Sequence, residues 1–367
     1  MERLLETNEA QDMMTDTLAR YLRERYPFEQ RNTGAGAQLW RGLAQDLGVA
    51  GAALPEHCGG LGGGFADHAL IMEQLGYALA GEPYLSTAVI GAGLLERSGA
   101  DIAHACLRDI AAGNALLAFA YAEPAGLHDL AAISTRLRDD GEGYRLDGHK
   151  AVVRNAASAS YILASAKTGE GAQDIGLVLL PPDMPGITRR DYLTLDGGQA
   201  SELYFDRVRL PAQWVLMAGG ALPAIEEALD LGAVAVCAEA VGVMRRLVED
   251  TVAYSRERRQ FGVAIASFQV LRHRMADMLM QLEQARAITG LTVARLAQPG
   301  ANRSRLVSSA MVTTARACRF IGQAAVQIHG GMGMTDELAV GHYFKRATVI
   351  AGLFGPVDHH LRRYANA

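Results

Sequence analysis

The sequence predicts an α+β protein of several domains: an N-terminal helical domain, a central β barrel or sandwich, and a C-terminal four-helix bundle. Three observations predict this order. Apolar residues recur at helical spacing near both ends of the 367-residue chain. Between them, short apolar runs alternate with Gly, Pro and Asp, which is typical of small β domains. A chain of this length usually divides into two or three packed units.

The first stretch, residues 1–115, has the helical pattern. Leu39, Leu43 and Leu47, for example, repeat every four residues and therefore share one face of a helix. The glycine-rich segment 58–64 interrupts this pattern. Because glycine tolerates positive φ, the backbone can turn sharply there. We predict a helical domain with one internal loop.

The second stretch, residues 116–218, has the pattern of short strands. Apolar runs at 116–121, 161–166 and 175–180 are separated by turn residues. Segment 144–150 reads as a strand that runs into a turn. Regular short strands with turn signals predict a compact barrel or sandwich.

The third stretch, residues 219–367, is helical again. Long amphipathic segments cover 233–254, 268–297 and 303–328, with Gly or Pro at the breaks between them. Helices joined by short connections pack side by side, so we predict a bundle.

Composition excludes some classes of function. The formal net charge of −5 argues against general nucleic-acid binding, which needs a basic face. No apolar run reaches the ~18 to 20 residues of a membrane helix. Segment 1–6 lacks the basic and apolar pattern of an export signal, and we expect a cytoplasmic protein without membrane or nucleic-acid partners.

Cysteine and histidine spacing predicts no metal site. The four cysteines are far apart and match neither a metal nor a redox motif, so we expect buried, reduced thiols. The histidines at 329, 359 and 360 also lack ligand spacing and are expected to be structural or exposed. The cysteines are Cys58, Cys106, Cys237 and Cys318.

Four strings stand out along the chain. Arg256–Gly262 reads R-E-R-R-Q-F-G and is followed by Phe268-Gln269 and by A-D-M at 276–278. Gln327–Met334 reads Q-I-H-G-G-M-G-M, and Leu54–Gly62 reads L-P-E-H-C-G-G-L-G. A fourth string, E-P-A-G-L-H-D, covers 123–129. Each alone is weak, since a lone arginine motif or glycine pair is more often a helix end.

In their order and spacing, these strings resemble the signatures of the acyl-CoA dehydrogenase family: P-E-x-x-G-G-L-G, T-E-P-x-A-G-S-D, R-x-Q-F-G with F-Q and A-D-M, and Q-x-x-G-G-x-G. The resemblance spans most of the chain. It implies the fold of that family, FAD as cofactor, and α,β-dehydrogenation of an acyl-CoA thioester in lipid metabolism, such as fatty acid or steroid degradation.

The resemblance also implies cofactor contacts that suit the chemistry of FAD. A guanidinium can neutralise the pyrophosphate, amides can bond polar edges, aromatic rings can cover apolar edges, and glycines allow close backbone approach. In the family these elements contact FAD held mainly by the neighbouring subunit, which implies a dimer at least. The predicted cofactor-binding residues are Arg258, Gln260, Phe261, Phe268, Gln269, Gln327, Gly330 and Gly331.

The catalytic base of the family has no counterpart here. In most members it is the glutamate of Y-E-G-T, whose position is taken by Phe354, and a phenyl ring cannot accept a proton. In some members the base lies early in the first long C-terminal helix, where this chain has Gly232-Ala233. We therefore predict no catalytic residue. A carboxylate shifted in register could replace it, although surface or capping roles are commoner for such groups: Glu226, Glu227, Asp230 and Glu239.

The β domain departs from the resemblance as well. The threonine that bonds the flavin ring in the family is Ala122 here, and the serine before Asp129 is His128. The family's W-x-T, which packs on the flavin, is V-V-R at 152–154. The groups that would serve a neighbour's FAD are thus kept, whereas those that would serve this chain's own flavin are altered.

This asymmetry predicts a subunit that lacks its own base and completes the FAD site of a partner. The assembly would be a heterotetramer with a catalytic paralogue, with electron-transfer flavoprotein as a further candidate partner. Three alternatives remain open: a homodimeric or homotetrameric dehydrogenase with a displaced base, a flavin-dependent monooxygenase on the same fold, and a non-catalytic acyl-CoA-binding protein.

Overall fold

The computed structural model describes residues 4–28, 36–80, 83–171, 173–296, 298 and 300–367. The predicted order of helical, β and helical segments is confirmed. The first helix begins at a capping box, in which Asn8 and Gln11 each accept a hydrogen bond from the other's backbone N–H. The N-terminal helices are α1 (Glu9–Arg25), α2 (Gly36–Gln45), α3 (Phe65–Tyr77), α4 (Ala92–Ser98) and α5 (Asp101–Ala111), and a π-helical turn (Leu85–Gly91) precedes α4.

Eight strands form one mixed sheet: β1 (Leu117–Ala120), β2 (Arg136–Asp139), β3 (Tyr144–Arg154), β4 (Tyr161–Lys167), β5 (Ile175–Leu180), β6 (Ile187–Leu193), β7 (Gln199–Leu210) and β8 (Val215–Met217). Their order is β6-β7-β3-β2-β4-β5-β8, and β1 pairs with β4 in parallel. Strand β5 is buried along its whole length, whereas β6 is exposed. The core of the sheet includes Leu146, Val153, Ile162, Val178, Leu203 and Val208.

The C-terminal segment consists of α6 (Leu222–Glu257), α7 (Gln269–Leu296), α8 (Arg303–His329), α9 (Ala339–Ile350) and α10 (Val357–Ala365). A short ribbon of β9 (Arg259–Gln260) and β10 (Val263–Ala264) separates α6 from α7. The long helices overlap the predicted amphipathic segments, because burial of an apolar stripe has a helical period.

By internal contacts the chain forms two compact units. A helical unit comprises the described parts of Met1–Ala35, Phe65–Gly81 and Ala233–Ala367. The sheet unit comprises Gly36–Gly64 and the described parts of Glu82–Gly232. The three domains predicted from the sequence, with limits at 115 and 218, stay a prediction.

Within the helical unit, α3 and α6 cross in backbone contact. A Cβ added at Gly76 would collide with the carbonyl of Glu239, and one added at Gly242 would collide with the carbonyl of Glu73. Glycine is therefore required on both helices by packing alone. Beside this crossing, Arg346 of α9 binds both carboxylate oxygens of Glu239 at 2.6 and 2.7 Å.

The four cysteines are buried and free, as predicted. Among the described residues, no helix combines the length and the apolar content needed to cross a membrane.

Candidate cofactor site

The R-x-Q-F-G motif forms a hairpin whose tip is an exposed aromatic ring. Strands β9 and β10 pair Gln260 with Val263, so Phe261 and Gly262 make a two-residue turn. Both turn residues have positive φ, 52° and 82°, as tight hairpin turns require. A non-glycine residue adopts this conformation at a cost, and the Phe261 side chain is 92% exposed. Packing within this unit does not explain an aromatic ring at this position.

Arg258 lies at the base of the hairpin. Its N–H donates to the carbonyl of Tyr254 and its own carbonyl accepts from Ile265, each at 2.8 Å, so the backbone is fixed. Its exposed guanidinium forms no hydrogen bond or ion pair with the residues that the structure describes. A fixed backbone that carries an unpaired guanidinium suits recognition of a phosphate.

The remaining predicted residues of this motif lie close by. Phe268 is half-buried, and its ring meets that of Phe261 edge-on at 6.2 Å. Gln269 is exposed at the first position of α7. Gln260 is also exposed, and its side chain donates to the carbonyl of Arg259 at 2.9 Å. Polar and aromatic groups therefore lie together at the hairpin and at the start of α7.

The second motif ends helix α8. Gln327 is exposed, and its carbonyl accepts from the N–H of Gly330, whose φ of 61° requires glycine. A Cβ added at Gly330 or Gly331 would meet no atom within 4 Å. A Cβ at Gly333 would instead lie 2.9 Å from the carbonyl of Val326. Packing thus explains Gly333, whereas Gly331 borders open space.

Tyr254 and His329 join the two motifs. Their rings stack with centroids 4.2 Å apart, and His329 Nδ1 lies 2.8 Å from the carbonyl of Ala325. His329 is buried, so of the two expected outcomes, structural or exposed, it is not the exposed one. Sequence reasoning did not find Tyr254. Its signal was the four-residue spacing to Arg258, which places both on one face of a helix.

The position of the usual base lies in the turn between α9 and α10. Phe354 is half-buried with φ of 58°, and Gly355 follows with φ of 121°. A Cβ at Gly355 would lie 2.6 Å from the ring of His359, so the turn is tightly packed. Residues 351–357 contain no carboxylate. Nothing in this turn can accept a proton from a carbon acid.

The structure does not favour a displaced base at Glu239. Its side chain is fully buried, and both of its oxygens bind Arg346. Both oxygens of this carboxylate are therefore committed to an ion pair within the packed core. The other three carboxylates are a buried Asp230, an exposed Glu226, and a Glu227 that pairs with Arg97 at 2.7 Å.

In the sheet unit, the altered flavin-ring positions lie side by side. The N–H of Ala151 donates to the carbonyl of Ala122 at 2.9 Å, which joins the end of β1 to β3. Next to this contact, the buried Lys150 ammonium donates to Glu123 at 2.8 Å. Burial opposes the charged carboxylate, but Lys150 and Ser134 lower the pKa of Glu123 to about 2. This ion pair fixes the two segments relative to each other.

The end of β3 carries a second ion pair. A register shift between Lys150 and Val153 gives Val152 a φ of 52° and leaves its side chain 41% exposed. Arg154 lies 3.6 Å from Asp196, and their side chains are 13% and 3% exposed. The positions that resemble W-x-T therefore hold a small aliphatic group and a paired guanidinium.

The order of segments and the exposed arginine and aromatic hairpin define an architecture shared with flavin-dependent oxidoreductases. Three family models match nearly the whole chain: the acyl-CoA dehydrogenase N-terminal domain at residues 8–114, the middle domain at 118–208 and the C-terminal domain at 219–367. The chain therefore belongs to the acyl-CoA dehydrogenase family, whose members are FAD-dependent oxidoreductases that act on acyl-CoA.

Individual relatives agree with this assignment. The probable acyl-CoA dehydrogenase YngJ of Bacillus subtilis is 31% identical over 323 residues, 83% of each chain. The acyl-CoA dehydrogenase IpdE2 of Mycolicibacterium smegmatis is 31% identical over 330 residues, covering 90% of this chain and 88% of its own. A chain of the Tcur3481–Tcur3483 steroid ACAD superposes with a TM-score of 0.86 at 28% identity, covering 98% and 97%.

FAD fits the helical unit better than it fits the sheet unit. The helical unit offers an unpaired guanidinium, the exposed ring of Phe261 with the half-buried ring of Phe268, and open space beside Gly331, which suit a pyrophosphate and an adenine. The sheet unit lacks both the hydroxyl and the large aromatic group expected beside an isoalloxazine, at Ala122 and Val152. The residues present therefore fit one part of the cofactor only.

Proposed function

We propose that this chain is a subunit of a heteromeric acyl-CoA dehydrogenase, in which it completes the FAD site of a partner and supplies no catalytic base. The observation that carries the proposal is the turn at Phe354. This turn is packed tightly and contains no carboxylate, and one of the candidate replacements, Glu239, is bound by Arg346. Proton abstraction from the α carbon therefore falls to the partner subunit.

The residues of the helical unit have defined roles in this proposal. Arg258 would neutralise the pyrophosphate of the partner's FAD. Phe261 and Phe268 would cover an apolar edge of the cofactor, while Gln260, Gln269 and Gln327 would bond its polar groups. Gly330 and Gly331 would let the backbone approach closely. When bound, FAD supplies the acceptor for the hydride that leaves the β carbon.

Exposed apolar side chains in the helical unit support assembly with a second subunit. On α7, Val270 is 69% exposed and Met280 is 55% exposed, and Phe261 is nearly free of intramolecular cover. A protein that remains monomeric rarely exposes so many large apolar groups on one unit. Further exposed members are Val263, Leu279, Leu291, Phe320, Met332 and Met334.

The relatives support a substrate class. The Tcur3481–Tcur3483 protein is a steroid ACAD named after two polypeptides, and this chain is similar to one of its chains over nearly its full length. We infer an acyl-CoA thioester with a bulky acyl group, such as a steroid side chain, as the substrate of the complex. Electron-transfer flavoprotein is the proposed electron acceptor.

Co-expression with a catalytic paralogue tests this proposal. The chain and the paralogue are purified separately and together, and each sample is assayed for thioester dehydrogenation and for exchange of the α proton with D2O. We expect activity from the complex and none from this chain alone. Normal turnover by this chain as a homo-oligomer would contradict the proposal.

Variants sharpen the assignment of roles. Arg258→Ala in the complex is expected to lower FAD affinity without lowering the stability of this chain, because the exposed guanidinium forms no hydrogen bond or ion pair with the described residues. Arg295→Ala, at the exposed end of α7, is a matched control that removes an equal charge outside the motif. If both variants lower FAD affinity equally, Arg258 has no specific role.

A further inference from the structure

The end of β3 holds an ion pair between a mostly buried Arg154 and a buried Asp196, at the position that resembles the flavin-bonding threonine. We propose that Arg154 and Asp196 close this chain's own flavin-ring pocket, so that the chain holds no flavin of its own and an assembled pair of subunits carries one FAD. This inference rests on the proposed function and deepens it. It assigns a role to Arg154 and Asp196, which take no part in proton abstraction or in binding of the pyrophosphate.

The surroundings of Arg154 fix its guanidinium. Asp196 is 3% exposed and accepts a hydrogen bond from the N–H of Gly198 at 3.3 Å, and Thr194 also donates to it. A Cβ added at Gly198 would lie 3.0 Å from Arg154 Nη2, so the guanidinium rests against the turn at 194–198. The pair belongs to the packed structure rather than to a mobile surface.

Binding of an isoalloxazine ring at this position would require Arg154 and Asp196 either to separate or to stay paired beside the ring. Separating the pair leaves the buried Asp196 carboxylate without its cation, which is unfavourable. An isoalloxazine is a planar, uncharged ring system, and it cannot replace a carboxylate as the partner of a guanidinium. The ion pair therefore occupies the position that the flavin ring would need.

The residues at the neighbouring positions also disfavour binding of a flavin ring. Val152 offers a small aliphatic group where a ring needs a broad apolar face, and its positive φ turns the backbone at this point. Ala122, joined to β3 through Ala151, lacks a hydroxyl to bond the ring. The residues at three positions, Ala122, Val152 and Arg154, therefore disfavour binding of the flavin ring, and they lie in one small area of the sheet unit.

Flavin stoichiometry tests the inference without an activity assay. FAD per chain is measured by visible absorbance after gel filtration, for this chain alone and for the complex with its catalytic paralogue. We expect the chain alone to retain far less than one FAD per chain, and the complex to carry one FAD for each pair of subunits. One FAD retained per chain by this protein alone would overturn the inference.

A variant that removes both charges together provides the second test. Arg154→Thr with Asp196→Asn avoids leaving a lone buried charge, and Val152→Trp adds an aromatic face. We expect this triple variant alone to bind FAD about tenfold more tightly than the wild-type chain, or ~1.4 kcal/mol. Arg209→Thr is the control, because Arg209 of β7 forms an ion pair with Glu142 in the turn between β2 and β3, with side chains 81% and 87% exposed.

The outcomes separate this inference from the proposed function. A triple variant with unchanged circular dichroism and unchanged FAD affinity overturns the closed pocket. If that variant does not fold, the wild-type stoichiometry still decides the question. A chain that holds no FAD but also fails to activate any paralogue leaves the closed pocket standing and refutes the helper role.

Discussion

The ion pair between Glu239 and Arg346 leads to a sharp expectation for stability. Replacing Arg346 by Met leaves a fully buried carboxylate without its two hydrogen bonds, at 2.6 and 2.7 Å in the wild type. Loss of one partner of a buried pair typically costs 3–5 kcal/mol, roughly the range expected here. The double variant Glu239→Leu/Arg346→Met removes both charges, and we expect it to lie within ~1 kcal/mol of the wild type.

The assay is urea unfolding followed by far-ultraviolet circular dichroism. Tryptophan fluorescence is unsuitable, because Trp40 and Trp214 both belong to the sheet unit and the pair lies in the helical unit. The matched control is Lys345→Met on the same helix. Lys345 pairs with Asp336 at 3.4 Å, and the two side chains are 41% and 84% exposed, so its loss should cost less than about 1 kcal/mol.

A further variant at the same ion pair tests the chemistry. Glu239→Gln in the complex should keep exchange of the α proton, because the wild-type carboxylate is committed to Arg346. Loss of exchange with an unchanged unfolding curve would refute the structural role and restore the displaced base. A cost of less than about 1 kcal/mol for Arg346→Met would likewise contradict the reasoning.

Three further expectations concern packing and pH. Gly242→Ala should destabilise the helical unit by about 1–3 kcal/mol, because its Cβ meets the carbonyl of Glu73, and thermal unfolding measures this. Gly331→Ala should leave thermal stability unchanged but weaken FAD binding by the complex, and an unchanged FAD affinity would remove Gly331 from the site. Glu123 has its pKa lowered from 4.5 to about 2, so its contribution to stability is present above pH 4.5 and is lost as the pH falls towards 2. Acid titration of the wild type against Glu123→Gln should show this loss in the wild type only.

Local patterns were sufficient for the order of segments. Helical periodicity over 303–328 predicted α8, observed at Arg303–His329, because an apolar stripe repeats along a single helix. The apolar run at 175–180 predicted β5 at Ile175–Leu180, because a strand buried along its whole length is continuously apolar. These signals involve neighbouring residues only.

The sequence predicted part of the chemistry of the candidate site. The motif strings located Arg258, Phe261 and Gly331 as cofactor contacts, and their role in binding stays a prediction. The substitution at Phe354 was also visible in the sequence, since it needs only a count along the chain. The sequence did not predict which of these side chains are exposed. Phe261 is 92% exposed at the tip of a hairpin, and this exposure depends on how the surrounding helices pack.

The sequence by itself determined the family, the order of its segments and the absence of a carboxylate from residues 351–357, because these depend on residue identity and spacing. The tertiary structure decided which charges are available for chemistry. Glu239 and Arg346 are 107 positions apart, and Arg154 and Asp196 are joined only through the fold. The physical reason is that a carboxylate acts as a base or as an ion-pair partner according to its neighbours in space, and spacing along the chain does not specify those neighbours.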